Sequence, residues 1–350
     1  MAKKKDDDVD AVAAAIKKEL GDTVQMLSDS SALCQVNFSV STRSIVIDKI
    51  LAGGRPMPCS MVPFGRQAEI SGLNGSGKTT LCAHIAAETQ RMGGLVVVVD
   101  TEERMDLPYW ESLGVDVSKV MKIKAKTLEE VFNRQEAYIK AYIKTGTSRP
   151  MLMIWDSVGG TSSGDVIEGK EDFMTNAKKS MGREAKLIGM GVKGLNPLIA
   201  ECNVCYLYTN HLYRRLDVTY GDPWQEPGGE KLKFQATVRL RLTKVKEIKE
   251  EDQFGNKAKI GQVVKVKANK NSMAPMQMEK EAVLIGGVGF CNDYTVFDIA
   301  KRAKLINGKG WYTVTLGGEE VKFQGWGGFQ LKVVMHEHYN ELVDAVMELL

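Results

Sequence analysis

The run Gly72-Leu-Asn-Gly-Ser-Gly-Lys-Thr79 constrains what this chain can fold into more than any other stretch. It matches G-x-x-x-x-G-K-[ST] in full, and each residue type has a chemical reason. Glycines let backbone N–H groups turn inward around a β-phosphate, where a Cβ would collide. Lys78 can reach the β- and γ-phosphates, and the Thr79 hydroxyl can ligate Mg²⁺. The flanks set it apart from a chance match. Gln67–Ile70 reads as a short strand before the loop, and a helix with Leu81 and Ile85 on one face comes after it. That order puts phosphates at a helix N-terminus, where the dipole and free N–H groups favour anions. The nucleotide contacts are therefore expected from Gly72, Asn74, Gly75, Ser76, Gly77, Lys78, Thr79 and Thr80.

From residue 67 to about 210, apolar runs alternate with helical patterns, the signature of βαβ units and a parallel sheet. Ligands of open parallel sheets sit at the carboxyl ends of the strands. Three runs downstream of the loop end in useful side chains. Leu95–Val99 leads to Asp100-Thr-Glu102, Met151–Trp155 to Asp156-Ser157, and Val204–Tyr208 to Thr209-Asn-His211. Asp156 fits the Walker-B carboxylate that supports Mg²⁺. Glu102 is the candidate base for an attacking water, with Asp100 read as structural and Glu103 as solvated. His211 can sense a γ-phosphate by hydrogen bonding, or can simply bond backbone at the end of its strand.

The remainder of the chain is organised around this block. Its 350 residues suggest about two domains. Val9–Leu20 is helical in spacing, with Gly21 as its stop. Residues 237–270 read as antiparallel strands around the polar turn Glu250–Asn256, and the alternation Val238, Leu240, Leu242 slips near Lys244, predicting a bulge. From about 276 onward, short helices, a Gly-rich Trp/Tyr stretch (Asn307–Gly328) and an amphipathic final helix suggest a small separate α/β domain. Residues 231–270 hold 12 Lys or Arg against 4 Asp or Glu in a chain of formal net charge +3. Such a segment suits a phosphate-backbone footprint or a solvated strand face, and charge alone does not decide. No apolar run approaches the roughly 18 residues of a membrane span. The N-terminus, Met-Ala-Lys-Lys-Lys-Asp-Asp-Asp, has no apolar stretch behind it and is not a secretory signal. No membrane partner and a reducing cytoplasm are expected. Cys202-x-x-Cys205 opens an apolar run with no second pair, which favours buried thiols over zinc.

These residues together resemble the RecA recombinase family across nearly the whole chain. Asp100-Thr-Glu102 leads into Asp106-Leu-Pro-Tyr109 and Leu113-Gly-Val-Asp116, and Trp155-Asp-Ser-Val158 is similar to the family's Walker B. Ile167-Glu-Gly169 resembles its first DNA-binding loop. Tyr220-Gly-Asp-Pro223, Gly228-Gly229 and Leu232-Lys-Phe234 resemble the second loop and the strand behind it. The resemblance implies a P-loop ATPase core of the RecA type with a mostly parallel central sheet (residues 41–275). An N-terminal helical polymerisation arm (1–40) and a C-terminal domain (276–350) would flank it. ATP and Mg²⁺ are the implied cofactors, single- and double-stranded DNA the partners, and a helical homo-oligomeric filament the assembly. Glu102 would activate water, Lys78 and Thr79 hold phosphate and metal, and Asp106 and Tyr109 lie at the adenine. Lys270, with Lys267 as the less certain match, would reach the next subunit's γ-phosphate. DNA contacts would come from Gly169, Arg183, Arg214, Arg215, Tyr220, Trp224, Gly228 and Gly229. Independently, Arg214 and Arg215 can neutralise phosphates, Tyr220 and Trp224 offer stacking faces, and the glycine pair gives a hinge. His211, where bacterial members place Gln, and Gly310-Trp-Tyr312 resemble the UvsX-type recombinases of tailed phages. The expected activity is DNA-stimulated ATP hydrolysis driving homologous pairing and strand exchange. A hexameric RecA-core motor such as a replicative helicase would share the phosphate loop and Walker B but should lack the N-terminal arm.

Overall fold

The computed structural model describes residues 3–21, 38–55, 62–164, 177–215, 221–251 and 257–350, without the side chains of 3–10, 177–181 and 251. They belong to two units, Met1–Asn37 and Phe38–Leu350. In the first, helix α1 (Lys3–Leu20) begins earlier than its apolar spacing suggested, and Lys17 and Lys18 lie in its last turn, where the dipole favours cations. Gly21 comes next at φ +57°, the left-handed stop that a glycine takes most easily. Residues 22–37, which the expected arm also spans, lie outside the described residues.

The second unit opens with a two-stranded ribbon, β1 (Ser39–Val40) with β2 (Val62–Pro63), and helix α2 (Ile45–Ala52) between them. The strands β3 (Arg66–Gly72), β4 (Leu95–Asp100), β5 (Val120–Lys122), β6 (Met151–Asp156) and β7 (Val204–His211) then form the parallel core. Helices α3 (Lys78–Arg91), α4 (Leu107–Ser112), α5 (Leu128–Lys144) and α6 (Ala177–Glu201) lie between these strands in the chain. A short pair, β8 (Tyr213–Arg214) and β9 (Trp224–Gln225), and helix α7 (Gly229–Gln235) lead to β10 (Val238–Glu251), β11 (Lys257–Asn271), β12 (Glu279–Ile285) and β13 (Gly289–Phe290). Leu232-Lys-Phe234, expected in a strand, thus lies in α7. Leu232 is its buried position and Ala236, four on, is the buried C-cap, while Phe234 is exposed, a helical period that three residues are too few to reveal. The sheet order is β13-β12-β11-β10-β3-β7-β6-β4-β5. β10 joins β3 in parallel and β11 to β13 add antiparallel, so the expected mostly parallel sheet is found.

Successive strand residues point to opposite faces, which explains the unbroken apolar runs: both faces are covered. Val96, Val98, Leu152, Ile154 and Leu207 pack with Leu81 and Ile85 of α3 in one core. Val97, Val99, Met153, Trp155, Tyr206 and Tyr208 pack with α5 and α6 in the other. Cys205 is buried in the first, and half-buried Cys202 donates to the Leu198 carbonyl at 2.9 Å. β10 and β11 slip register between Lys244 and Lys246, at the predicted bulge.

The boundary expected at 275/276 falls between β11 and β12, adjacent strands of one sheet. Beyond them, helix α8 (Asn292–Arg302) and the meander β14 (Asn307–Lys309), β15 (Trp311–Leu316), β16 (Glu319–Gln324) close a third core of Phe297, Phe323 and Phe329. That core includes Ile248, Val263 and Val283 of β10–β12, because the long hairpin reaches past the parallel strands and needs a cover. The basic segment is largely paired within the chain. Lys244 and Lys259 meet Glu247, Lys265 meets Glu279, and Arg239 and Arg241 meet acids from other elements.

Candidate nucleotide site and second loop

Four strand ends converge on one cavity. The phosphate loop leaves β3, and its Gly75 and Gly77 take φ +71° and +98°, a region that glycine enters without strain. A Cβ on Gly72 would stand 2.3 Å from Ser76 Oγ and 2.7 Å from the Leu242 carbonyl. Ser76 Oγ is buried without a hydrogen-bond partner among the described residues. Lys78, at the first turn of α3, donates to the carbonyls of Gly72 (3.0 Å) and Leu73 (3.2 Å). Burial pushes its ammonium down, against the pull of Asp156 and Glu102.

Asp156, at the end of β6, accepts from Thr79 Oγ1 at 3.0 Å and from Thr209 Oγ1 of the neighbouring β7. Glu102 lies just past β4. Its Oε1 takes the Ser157 hydroxyl and His211 Nε2 (2.8 Å), and Arg104 stands 3.7 Å from Oε2. Burial pushes the Glu102 carboxyl up, but the bonds from Ser157 and His211 and the charges of His211 and Arg104 outweigh it and hold it below its ordinary value. It is ionised at neutral pH, as a base must be. His211 Nδ1 lies 3.5 Å from Lys78 Nζ. A proton on Nε2 lets His211 donate to Glu102.

Asn74, Gly75, Gly77, Lys78, Thr79, Thr80, Glu102, Asp156 and His211 therefore line one cavity of about 420 Å³, with Asp100, Arg104 and Met105. Its cradle, ammonium, hydroxyl and carboxylates suit a nucleoside triphosphate with Mg²⁺, which Thr79 and Asp156 would hold. A second hollow of about 240 Å³ adjoins it, between Tyr109 and Gln262, Leu284 and Gly286 of the antiparallel extension. Tyr109 OH and Thr80 Oγ1 are 2.9 Å apart. Asp106 does not line either hollow. Its carboxylate accepts the Tyr109 N–H at 3.2 Å and caps α4, the helix that carries the tyrosine. Asp100 is paired with Lys122 at 3.0 Å, a structural role, and Glu103 is exposed.

Sequence reasoning missed the supporting residues. Ser157 and Thr209 were legible as neighbours of Asp156 and His211. Gln262 was not: its Nε2 donates to the Gly75 carbonyl at 2.6 Å from 187 residues away.

The expected DNA residues are only partly described. Gly169 and Tyr220 lie outside the described residues, and Arg183 is exposed on α6. Arg214 and Trp224 face each other across β8–β9, and the Arg215 N–H donates to the Pro223 carbonyl at 2.8 Å. Gly228 and Gly229 (φ +97° and +75°) turn the chain into α7. Lys270 is not among the cavity's residues in its own chain. It donates to the Phe234 carbonyl at 2.8 Å, at the C-terminal end of α7.

Comparison with known proteins fits this geometry. The model of the RecA N-terminal domain matches residues 7–291. The RecA protein of Aquifex aeolicus is 30% identical over 332 residues, 95% of this chain and 88% of its own length. That of Geobacter sulfurreducens is 29% identical over 323 residues, 92% of this chain and 88% of its own. That of Thermotoga petrophila is 30% identical over 301 residues, 85% of this chain and 78% of its own. Among the described residues, no helix is long and apolar enough to cross a membrane.

Proposed function

The chain belongs to the RecA family, and on that premise we propose that it is an ATP-dependent recombinase of the cell interior. In this reading it forms helical filaments on single-stranded DNA and catalyses homologous pairing and strand exchange. The observation that carries the reading is the junction at β7. His211 bonds the candidate base Glu102 at 2.8 Å, and the same strand runs directly into the arginine-bearing second loop. A change in what His211 touches is thereby passed to the segment that would meet DNA.

Lys78 and the loop N–H groups bind and orient the triphosphate. Bound Mg²⁺, held by Thr79 and Asp156, would neutralise phosphate charge. Glu102 accepts the proton of the attacking water, and Ser157 and His211 hold its carboxylate in place. Tyr109 takes one face of the base. Lys270 reaches the γ-phosphate of the neighbouring subunit, exchanging its carbonyl contacts on α7 for it. Arg214 and Arg215 neutralise the DNA backbone and Trp224 stacks on bases, so binding is sequence-tolerant and salt-sensitive. The departures at His211 and Gly310-Trp-Tyr312 support the phage type.

The test is ATP hydrolysis with and without single-stranded DNA, beside Glu102→Gln. Strong stimulation of the wild type is expected, with a loss of about 10²-fold or more in the variant while nucleotide-dependent filaments persist. Hydrolysis indifferent to DNA, by particles that close into rings, would return the hexameric motor.

A further inference from the structure

Between the strand that carries His211 and the second loop runs a network of polar and charged contacts. Asn210, fully buried and adjacent to His211, donates from Nδ2 to Glu69 Oε1 and to the Pro227 carbonyl, each at 2.9 Å. Glu69 is 1% exposed on β3, and its other oxygen takes Arg239 Nε at 2.5 Å. Arg239 also lies 3.3 Å from Glu226 Oε2. Glu226 is 4% exposed, and its Oε1 takes Arg241 at 3.2 Å and the Ser71 hydroxyl at 3.3 Å. The second arm of the Arg241 fork pairs with Asp222. Carboxylate and guanidinium alternate, so each buried charge has an opposite neighbour.

Buried ion pairs seldom add net stability over apolar packing, but a guanidinium fork fixes where its partners sit. Arg241 is the informative member. Both of its ion pairs go to the loop's returning segment, at Asp222 and Glu226, and its buried Nε has no partner among the described residues. Its bonds therefore locate the loop, not its own strand. Asp222 in turn accepts the Trp224 N–H at 3.0 Å, and Trp224 pairs with Arg214 across β8–β9. Whatever holds Asp222 holds the stem that carries the proposed phosphate and stacking contacts.

We propose that Arg241 is a positioning residue for the second loop. It clasps Asp222 and Glu226 so that the β8–β9 stem is set for single-stranded DNA before DNA arrives, and it takes no part in hydrolysis. This rests on the reading of residues 212–229 as a DNA loop. Without the clasp, the stem must be ordered at the expense of binding.

The experiment measures the single-stranded DNA concentration that half-saturates ATPase stimulation, together with the DNA-free rate. For Arg241→Gln the half-saturating concentration should rise about tenfold while the DNA-free rate holds, a split that general destabilisation would not produce. Arg241→Lys keeps the charge but not the fork and should fall between. Asp222→Asn serves as the second variant, because its carboxylate is 53% exposed and its loss cannot disturb a core. It should raise the half-saturating concentration about threefold. If Arg241→Gln fails to fold, Asp222→Asn decides. A stimulated wild type with unmoved or lowered half-saturation in the variants overturns this inference alone. A wild type whose hydrolysis ignores DNA overturns the DNA-loop reading and this inference together.

Discussion

His211 and Asn210 are neighbours on β7, yet they serve regions built in opposite ways. On the His211 side, backbone does most of the shaping. Gly75 and Gly77 sit at positive φ, and Gly77 packs against Leu284 and Phe290, where an added Cβ would come within 3.2 and 3.3 Å. The Phe290 N–H in turn donates to His84 Nε2 on α3 at 3.1 Å. On the Asn210 side, long charged side chains reach across from β3 and β10 to hold a loop whose own backbone pairs at β8–β9 and at Arg215–Pro223. A backbone cradle is rigid and little affected by salt. A clasp with an exposed carboxylate at its end is screened and can be released. The difference suits a site that must meet phosphate in one geometry and, on the proposed reading, a loop that must answer to DNA as well.

The comparison can be broken by making the two sides fail together. The largest expected effect is Lys78→Ala, which should cut hydrolysis by roughly 10²–10³-fold. The tryptic cleavage pattern of the second loop should stay unchanged; a change there would mean that the loop depends on the lysine and not on its own clasp. Next comes acid. Burial, with a smaller push from Arg43, lowers His84 to about 4, while its unfolded value is 6.5. The unfolded chain therefore binds the extra proton between those limits. The contribution is complete above pH 6.5 and is lost as pH falls toward 4, about 2 kcal/mol between pH 7 and pH 5. Urea midpoints at the two pH values should show the drop, and His84→Asn should flatten it. The smallest effect is on the loop side. Gly194 is exposed inside α6, and a Cβ there meets nothing within 4 Å. Gly194→Ala should gain about 0.5–1 kcal/mol, read as a raised thermal midpoint. A loss would show that α6 needs slack, and would blur the contrast between the two sides.

How much of this was legible in the chain depends on how far apart the partners lie. The phosphate loop, its flanking strand and helix, and the carboxylates after β4 and β6 are encoded within a few residues of one another. The strand period and the parallel-sheet rule do the rest, bringing Lys78, Thr79, Glu102, Asp156 and His211 to one cavity. The slip near Lys244 was equally local. At Asp106 a nucleotide contact and a helix cap call for the same residue type before the same helix, and only the fold shows its bond to the Tyr109 N–H. The boundary expected near 276 meets a related ambiguity: β12 reads like any short strand, and only pairing with β11 decides which sheet owns it.

What the amino-acid order determined alone, then, was the chemistry of the nucleotide site and the class of sheet that presents it, because both follow from spacing along one strand–loop–helix unit. What only the tertiary structure decided was the partner of each distant charge. Glu69 and Arg239 stand 170 residues apart, and Gln262 and Gly75 stand 187 apart. No periodicity links such positions; Glu69 meets Arg239 because β10 lies beside β3, and Arg239 and Arg241 of a charge-rich segment turn inward while Lys244, Lys259 and Lys265 stay at the surface.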